Sequence, residues 1–339
     1  YAHTIAALSN PVNQKNIQSE FPKPTIKRRN TGYAVDMLLN SEAFIPGQSP
    51  FNFCALLAGS EGTLCFVTRI KIHVDPLPPT HLGLVCAHFN TIDEALRANL
   101  IALRFNPSAS ELMDHYILEC TKANAEQSQN RFFVEGDPGA ILVVELRSDN
   151  AADLAKQAKA VEEAMLAENL GYHFPFVTGG DVKKVWDLRK AGLGLLSNLP
   201  GDEKAVAVIE DTAVDVNDLP AFIAEFNEIL AANNLYCVHY AHAGSGELHL
   251  RPIINLKTEE GHKQFRHIAE EIAHLVKKYQ GSLSGEHGDG RLRGEFIPWM
   301  VGDANYQLMR ELKSWWDPKG IFNPNKIVDT PPMDTFLRY

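Results

Sequence analysis

The chain has 339 residues, and at roughly 150 residues per domain that length predicts about two domains. Hydrophobic residues make up 45% and charged residues 22%, near the globular average, which excludes a disordered, collagenous or coiled-coil chain. Thirty-two Lys plus Arg against 42 Asp plus Glu give a formal charge of -10, which argues against nucleic acid as a partner and leaves room for a local basic pocket. No run approaches the roughly 20 apolar residues of a membrane span, and the amino end lacks a signal-peptide layout, so a soluble protein without a transmembrane segment is expected. Cys54, Cys65, Cys86, Cys120 and Cys237 form no Cys-x-x-Cys pair, so neither a disulfide framework nor a cysteine-bound metal is expected and the setting reads as reducing. The opening Tyr1-Ala2-His3 lacks an initiator Met, and the chain is expected to be a piece of a longer one.

Residues 1–49 are polar and rich in turn formers, with a basic knot at Lys27, Arg28 and Arg29, and predict loops with little core. After an apolar stretch from Phe53 to Leu57 comes Gly59-Ser60-Glu61-Gly62-Thr63, then the alternating run Phe66, Thr68, Ile70, Ile72 and Val74, which predicts a strand. Asp75-Pro76-Leu77-Pro78-Pro79 stops it and places a domain boundary at residue 79. Strands and helices then alternate. Strands are predicted at 82–89, 140–146, 205–209, 235–242 and 248–254. Helices are predicted after the caps Thr91 and Asn150, from Asp218, and around Phe265, Ile268, Ile272 and Leu275. The fold class is α+β, with a ferredoxin-like sheet covered by helices on one face.

Two segments carry the chemistry. In His239-Tyr240-Ala241-His242-Ala243-Gly244-Ser245-Gly246-Glu247-Leu248-His249, two apolar runs flank a glycine-bearing turn, so His242 and His249 can sit opposite each other with Cβ atoms about 5 Å apart. Two imidazoles there can converge on one metal ion, or form a purely structural pair. His239 lies on the other strand face and reads as structural. In Gly281-Ser282-Leu283-Ser284-Gly285-Glu286-His287-Gly288-Asp289-Gly290, four glycines bracket an acid and an imidazole. Glu286 can complete a His, His, carboxylate set and His287 can act as a base; the alternative is a solvated glycine turn. Arg189, in Val185-Trp186-Asp187-Leu188-Arg189, can clamp a carboxylate through its planar fork or lie on an amphipathic helix surface. The Gly59–Thr63 loop can cradle a phosphate or flavin edge, although no Lys-Ser or Lys-Thr follows it.

Gly59 to Leu64, His242 to His249, Ser284-Gly285-Glu286-His287-Gly288 and Phe322-Asn323-Pro324-Asn325-Lys326 occur in one order across nearly the whole chain. As a set they resemble the FAD-linked oxidases of the vanillyl-alcohol oxidase and p-cresol methylhydroxylase superfamily, in the branch of D-lactate dehydrogenase, glycolate oxidase and D-2-hydroxyglutarate dehydrogenase. The resemblance implies an FAD-dependent dehydrogenase that oxidises a small D-2-hydroxyacid to the 2-oxoacid. His242, His249 and Glu286 would then hold a divalent metal, zinc or manganese, with His287 the base and Arg189 the carboxylate clamp. Gly59, Ser60, Glu61, Gly62, Thr63 and Asn323 would contact FAD. The implied division is 1–79 for the end of an incomplete FAD-binding domain, 80–310 for the substrate or cap domain, and 311–339 for a segment returning towards the FAD domain.

The chain departs from the family pattern at Gly244-Ser245-Gly246-Glu247, where relatives read Gly-Asp-Gly-Asn, and at Ile209-Glu210-Asp211, where relatives often place a basic residue. The latter and the Arg-Arg-Asn-Thr-Gly-Tyr run from Arg28 resemble a long bacterial branch of flavin and iron-sulfur fusions. The implied electron acceptor is an iron-sulfur domain, a quinone or an electron-transfer protein. The implied setting is cytoplasmic, compatible with a peripheral membrane position and a homodimer. A metal-dependent hydrolase using the same triad, or a docking module of a larger flavoprotein, are the competing readings.

Overall fold

The computed structural model describes residues 1–196 and 200–337. They form two compact units. The first comprises Tyr1–His73, Asp211–Val214 and Arg266–Tyr339; the second comprises Val74–Glu210 and Asp215–Phe265. Residues 266–310, grouped with the cap on sequence, thus fall in the first unit, and the division passes inside the helix Glu259–Lys278.

The second unit is a mostly antiparallel sheet. Its strands are β1 (His81–Phe89), β2 (Ala109–Asp114), β3 (Ala140–Ser148), β4 (Phe176–Thr178), β5 (Lys204–Ala205), β7 (Cys237–His242) and β8 (Glu247–Ile254), and it takes in the first two residues of β6 (Ile209–Ala213), whose remainder falls in the first unit. The order is β4-β1-β3-β2-β7-β8-β5, with β6 also pairing β8. β1 and β3 form the longest ladder, from His81 opposite Ser148 to Phe89 opposite Ala140. Every residue from Ala140 to Leu146 is buried, which requires cover on both faces of the strand. On one face Leu84, Cys86, Ile141 and Val143 pack against Val182, Val185 and Leu188 of the helix Asp181–Leu195. Val85, Ala87, Leu142 and Val144 point the other way, towards the helices Ile92–Ala102 and Ala151–Ala167. Helices therefore cover both faces, not one. The predicted caps are in place: Thr91 Oγ1 accepts the Glu94 amide at 3.2 Å and Asn150 Oδ1 that of Asp153 at 2.8 Å.

Three local expectations are corrected. Residues 66–74 form no strand, and Phe66, Ile70, Ile72 and Val74 are each more than 70% exposed. Alternation describes a pleated surface that needs a partner strand, and among the described residues none pairs with this run. The strand predicted at 205–209 is two short strands, β5 and β6, joined by residues outside any strand, of which Val206 donates its amide to Pro252 O at 3.0 Å. Residues 1–49 do carry structure: the helices Ala2–Ser9 and Pro11–Glu20 meet at Asn10, whose side chain accepts the Val12 amide at 2.9 Å, with Pro11 pre-set at the helix start. Leu8, Ile17, Tyr33 and Leu38 are fully buried in this unit.

His88, fully buried in β1, offers a pH test of the second unit. Its Nδ1–H donates to Cys86 O at 2.8 Å and its Nε2 accepts the Glu135 amide at 3.2 Å, an arrangement that only the neutral ring satisfies. Burial pushes its pKa down to about 4 from 6.5. As pH falls below 6.5 the unfolded chain takes the proton first. The stability His88 contributes is therefore complete above 6.5 and declines towards pH 4, by about 3 kcal/mol in all. Urea unfolding at pH 7 and pH 4.5 should show a smaller difference in His88→Asn than in the unsubstituted chain, and an equal difference would refute the assignment.

Candidate functional site

In the second unit a polar cluster stands on one face of β2, β7 and β8. Tyr240 opposes His249 and His242 opposes Glu247, so Tyr240, His242, Glu247, His249 and Arg251 share that face. Met113 opposes Tyr240, which brings Glu111, two residues earlier on β2, to the same face. The two histidines are diagonal neighbours, not direct partners, because the turn Ala243–Ser245 with Gly246 at φ 75° sets that register. They still converge: the ring centroids are 5.1 Å apart with the planes at 80°.

Each imidazole faces a carboxylate that an arginine also engages. Glu111 meets His242 Nδ1 at 2.9 and 3.1 Å and pairs with Arg189 from the helix Asp181–Leu195. The Arg189 guanidinium also lies 4.1 Å from the centre of the Tyr240 ring. Glu210, at the start of β6, lies 3.7 Å from His249 Nδ1 and accepts Arg251 at 2.8 Å. A carboxylate accepts, so Nδ1 of His242 carries a proton towards Glu111. Two imidazoles set nearly perpendicular in this way, with carboxylates behind them, are a donor set suited to zinc or manganese. Arg189 is only 8% exposed, so it belongs to the buried face and not to a helix surface, and Glu111 takes part of its fork. His239 is structural, as its strand face predicts: its Nε2 lies 2.9 Å from Asn227 Oδ1 and its amide donates to Asp114. A separate group in this unit, His115, Glu119 and Asp137, also brings ligand atoms within 4.8 Å of one another, with Lys122 paired to Glu119.

In the first unit, the loop 284–290 and the Gly59–Thr63 loop come together on the Arg-Arg-Asn-Thr-Gly-Tyr run. Arg28 pairs with Glu286, the Asn30 amide donates to Ser284 O at 2.7 Å, and Thr31 Oγ1 accepts the Ser284 amide at 2.9 Å. The Gly32 amide donates to Asp289 at 2.7 Å, and Tyr33 OH meets Thr63 Oγ1 at 2.5 Å. Burial pushes the Tyr33 hydroxyl up to about 12 and the Asp289 carboxyl up to about 7, the latter helped by the charge of Glu61. Glu61 itself accepts the Asp289 amide at 2.8 Å and the Gly290 amide at 3.2 Å. Asn323 Nδ2 donates to Glu61 O at 2.7 Å, and Lys313 Nζ donates to Thr63 O, Asp317 and Phe322 O at 2.6–2.7 Å.

Of the residues expected to contact FAD, Ser60, Glu61, Thr63 and Asn323 thus spend side-chain bonds inside the loop and on its neighbours. Gly62 is exposed at φ 66°, with nothing within 4 Å of where a Cβ would stand, which leaves the loop backbone open to a flat ligand. Glu286 and His287 have 43% of their side-chain surface exposed. Sequence reasoning passed over Glu111, whose only signal is an acid directly before the apolar pair Leu112-Met113, and marked Asp211 only as a departure from the family pattern.

Residues 78–327 match the family of FAD linked oxidases, C-terminal domain. The chain is 30% identical over 323 residues to a D-2-hydroxyglutarate dehydrogenase of Haemophilus influenzae, covering 92% of this chain and 30% of the relative. It is 31% identical over 292 residues to the mitochondrial D-lactate dehydrogenase [cytochrome] 1 of Saccharomyces cerevisiae, covering 84% of this chain and 48% of the relative. Among solved structures it resembles p-cresol methylhydroxylase with substrate bound, with a TM-score of 0.59 at 12% identity, over 88% of this chain and 67% of that one. The chain belongs to the FAD-linked oxidases, as their C-terminal domain. It spans less than half the length of either relative. No helix among the described residues is long and apolar enough to cross a membrane.

Proposed function

We propose that this chain is the substrate-side part of an FAD-dependent dehydrogenase that oxidises a D-2-hydroxyacid to the 2-oxoacid. The observation that carries the reading is the pair of imidazoles on β7 and β8, 5.1 Å apart and each backed by a carboxylate and an arginine. His242 and His249 would hold a divalent cation; the family motif adds Glu286 as a carboxylate ligand and His287 as the base. A cation held there supplies positive charge that makes an adjacent alcohol easier to deprotonate. FAD supplies the acceptor for the hydride that leaves C2. His287 takes the hydroxyl proton, and Arg189 directs its remaining donors to the substrate carboxylate. Residues 1–79 and 311–339 would serve the flavin side, with the Gly59–Thr63 backbone approaching the cofactor. Electrons would leave through an iron-sulfur domain, a quinone or an electron-transfer protein.

Elemental analysis tests the histidine pair. The unsubstituted protein should hold about one zinc or manganese per chain, and His242→Ala and His249→Ala should each lose it. His115→Ala, in the separate surface group, should retain it. Retention in both hairpin variants would remove the pair from the reading.

A further inference from the structure

We infer that Asp211 is the positioning residue for Glu286 and His287, holding the backbone beneath the two reactive side chains. This rests on the reading of His287 as the base. Asp211 is fully buried, and three consecutive amides end on it. Gly285 donates to its carbonyl at 2.6 Å, Glu286 to Oδ1 at 2.8 Å and His287 to Oδ2 at 3.0 Å. The Ser284 hydroxyl donates to Oδ2 at 2.5 Å, and Arg293 lies 3.6 Å from the same oxygen. Glu61 takes the next pair of amides, those of Asp289 and Gly290, so carboxylates hold the loop on both sides of Gly288.

The backbone of Asp211 supports the same reading. Its φ is 79°, in the left-handed region, where a side chain other than Gly, Asn or Asp is strained. An Asp tolerates this sparsely populated conformation better than most residues, and here the bonds to the 284–287 loop hold it there. The side chains of Glu286 and His287 remain 43% exposed while their amides are fixed. A base needs this combination of a reachable imidazole and an immobile backbone.

Three substitutions in the intact protein separate this from a purely structural role. Asp211→Gly keeps the left-handed backbone and removes every side-chain acceptor. Asp211→Asn tolerates the same backbone and keeps an acceptor oxygen. Asp211→Ala loses both. Amide hydrogen exchange at Glu286 and His287 should speed at least tenfold in Gly and Ala, while Asn, with one acceptor oxygen in place of two, should keep it near normal at one of the two amides. The kcat for hydroxyacid oxidation should fall about 10²-fold in Gly and Ala with KM within about threefold, and Asn should recover to within about tenfold. Unchanged exchange in Asp211→Gly overturns the inference whatever the activity, and so does faster exchange with unchanged kcat. If the unsubstituted protein oxidises no hydroxyacid, the functional reading fails separately, and the exchange experiment alone decides whether Asp211 holds the loop.

Discussion

Replacing Glu111 by Ala should destabilise the second unit by about 3–5 kcal/mol, the range for removing one partner of a buried ion pair. Arg189 and Glu111 are 8% and 12% exposed, so water replaces little of what the carboxylate provides. The substitution leaves the Arg189 guanidinium over the Tyr240 ring with its main counter-charge gone, and takes from His242 the carboxylate at its Nδ1. It also removes the acceptor that fixes the His242 tautomer, so the hairpin should lose metal affinity by about 10–100-fold. Glu111→Leu combined with Arg189→Met should recover most of the stability, since a packed apolar pair of similar volume replaces a buried ion pair at little cost. Urea unfolding measures both effects on stability. A loss below about 1 kcal/mol, the range of an exposed ion pair, would show that Arg189 is not confined by its carboxylate partner.

The sequence carried the strand and helix alternation of the second unit well, because β1, β3, β7 and β8 have long apolar runs and the helices have side-chain caps at Thr91 and Asn150. It carried the short strands poorly. β4 has three residues and β5 has two, too few for any periodicity to declare itself. The run 66–74 shows the opposite failure, a clear alternation without a ladder, since pattern records what a strand could bury and not whether a partner is at hand.

For the candidate site, glycine spacing and histidine placement point to two segments, the His242–His249 hairpin of the second unit and the 284–290 loop of the first. The residues that orient them are harder to see. Glu111 and Asp211 lie more than 70 residues from the groups they bond, and a lone acid in a strand looks the same whether it faces water or an arginine. The Arg-Arg-Asn-Thr-Gly-Tyr run reads in the sequence as a family mark, and its work becomes visible only in the fold, where it binds the 284–289 loop nearly residue by residue. The same holds for Glu61, expected as a flavin contact and found accepting the Asp289 and Gly290 amides.

Replacing His287 by Asn should slow flavin reduction by about 10²–10⁴-fold, the usual contribution of a general base. An imidazole is the side chain whose ordinary proton exchange spans neutral pH, and Asn can hydrogen-bond a hydroxyl without taking its proton. The side chain of His287 is 43% exposed and its backbone is tied to Asp211, so the substitution should leave the fold and the bound metal in place. The decisive measurement is the anaerobic visible spectrum of the intact protein with FAD, before and after a panel of D- and L-2-hydroxyacids. A metal-assisted dehydrogenase with His287 as base predicts bleaching of the flavin band by a D-acid, its loss on chelation, its return with metal, and its near absence in His287→Asn. A flavin that no hydroxyacid bleaches, or bleaching at an unchanged rate in His287→Asn, would contradict it.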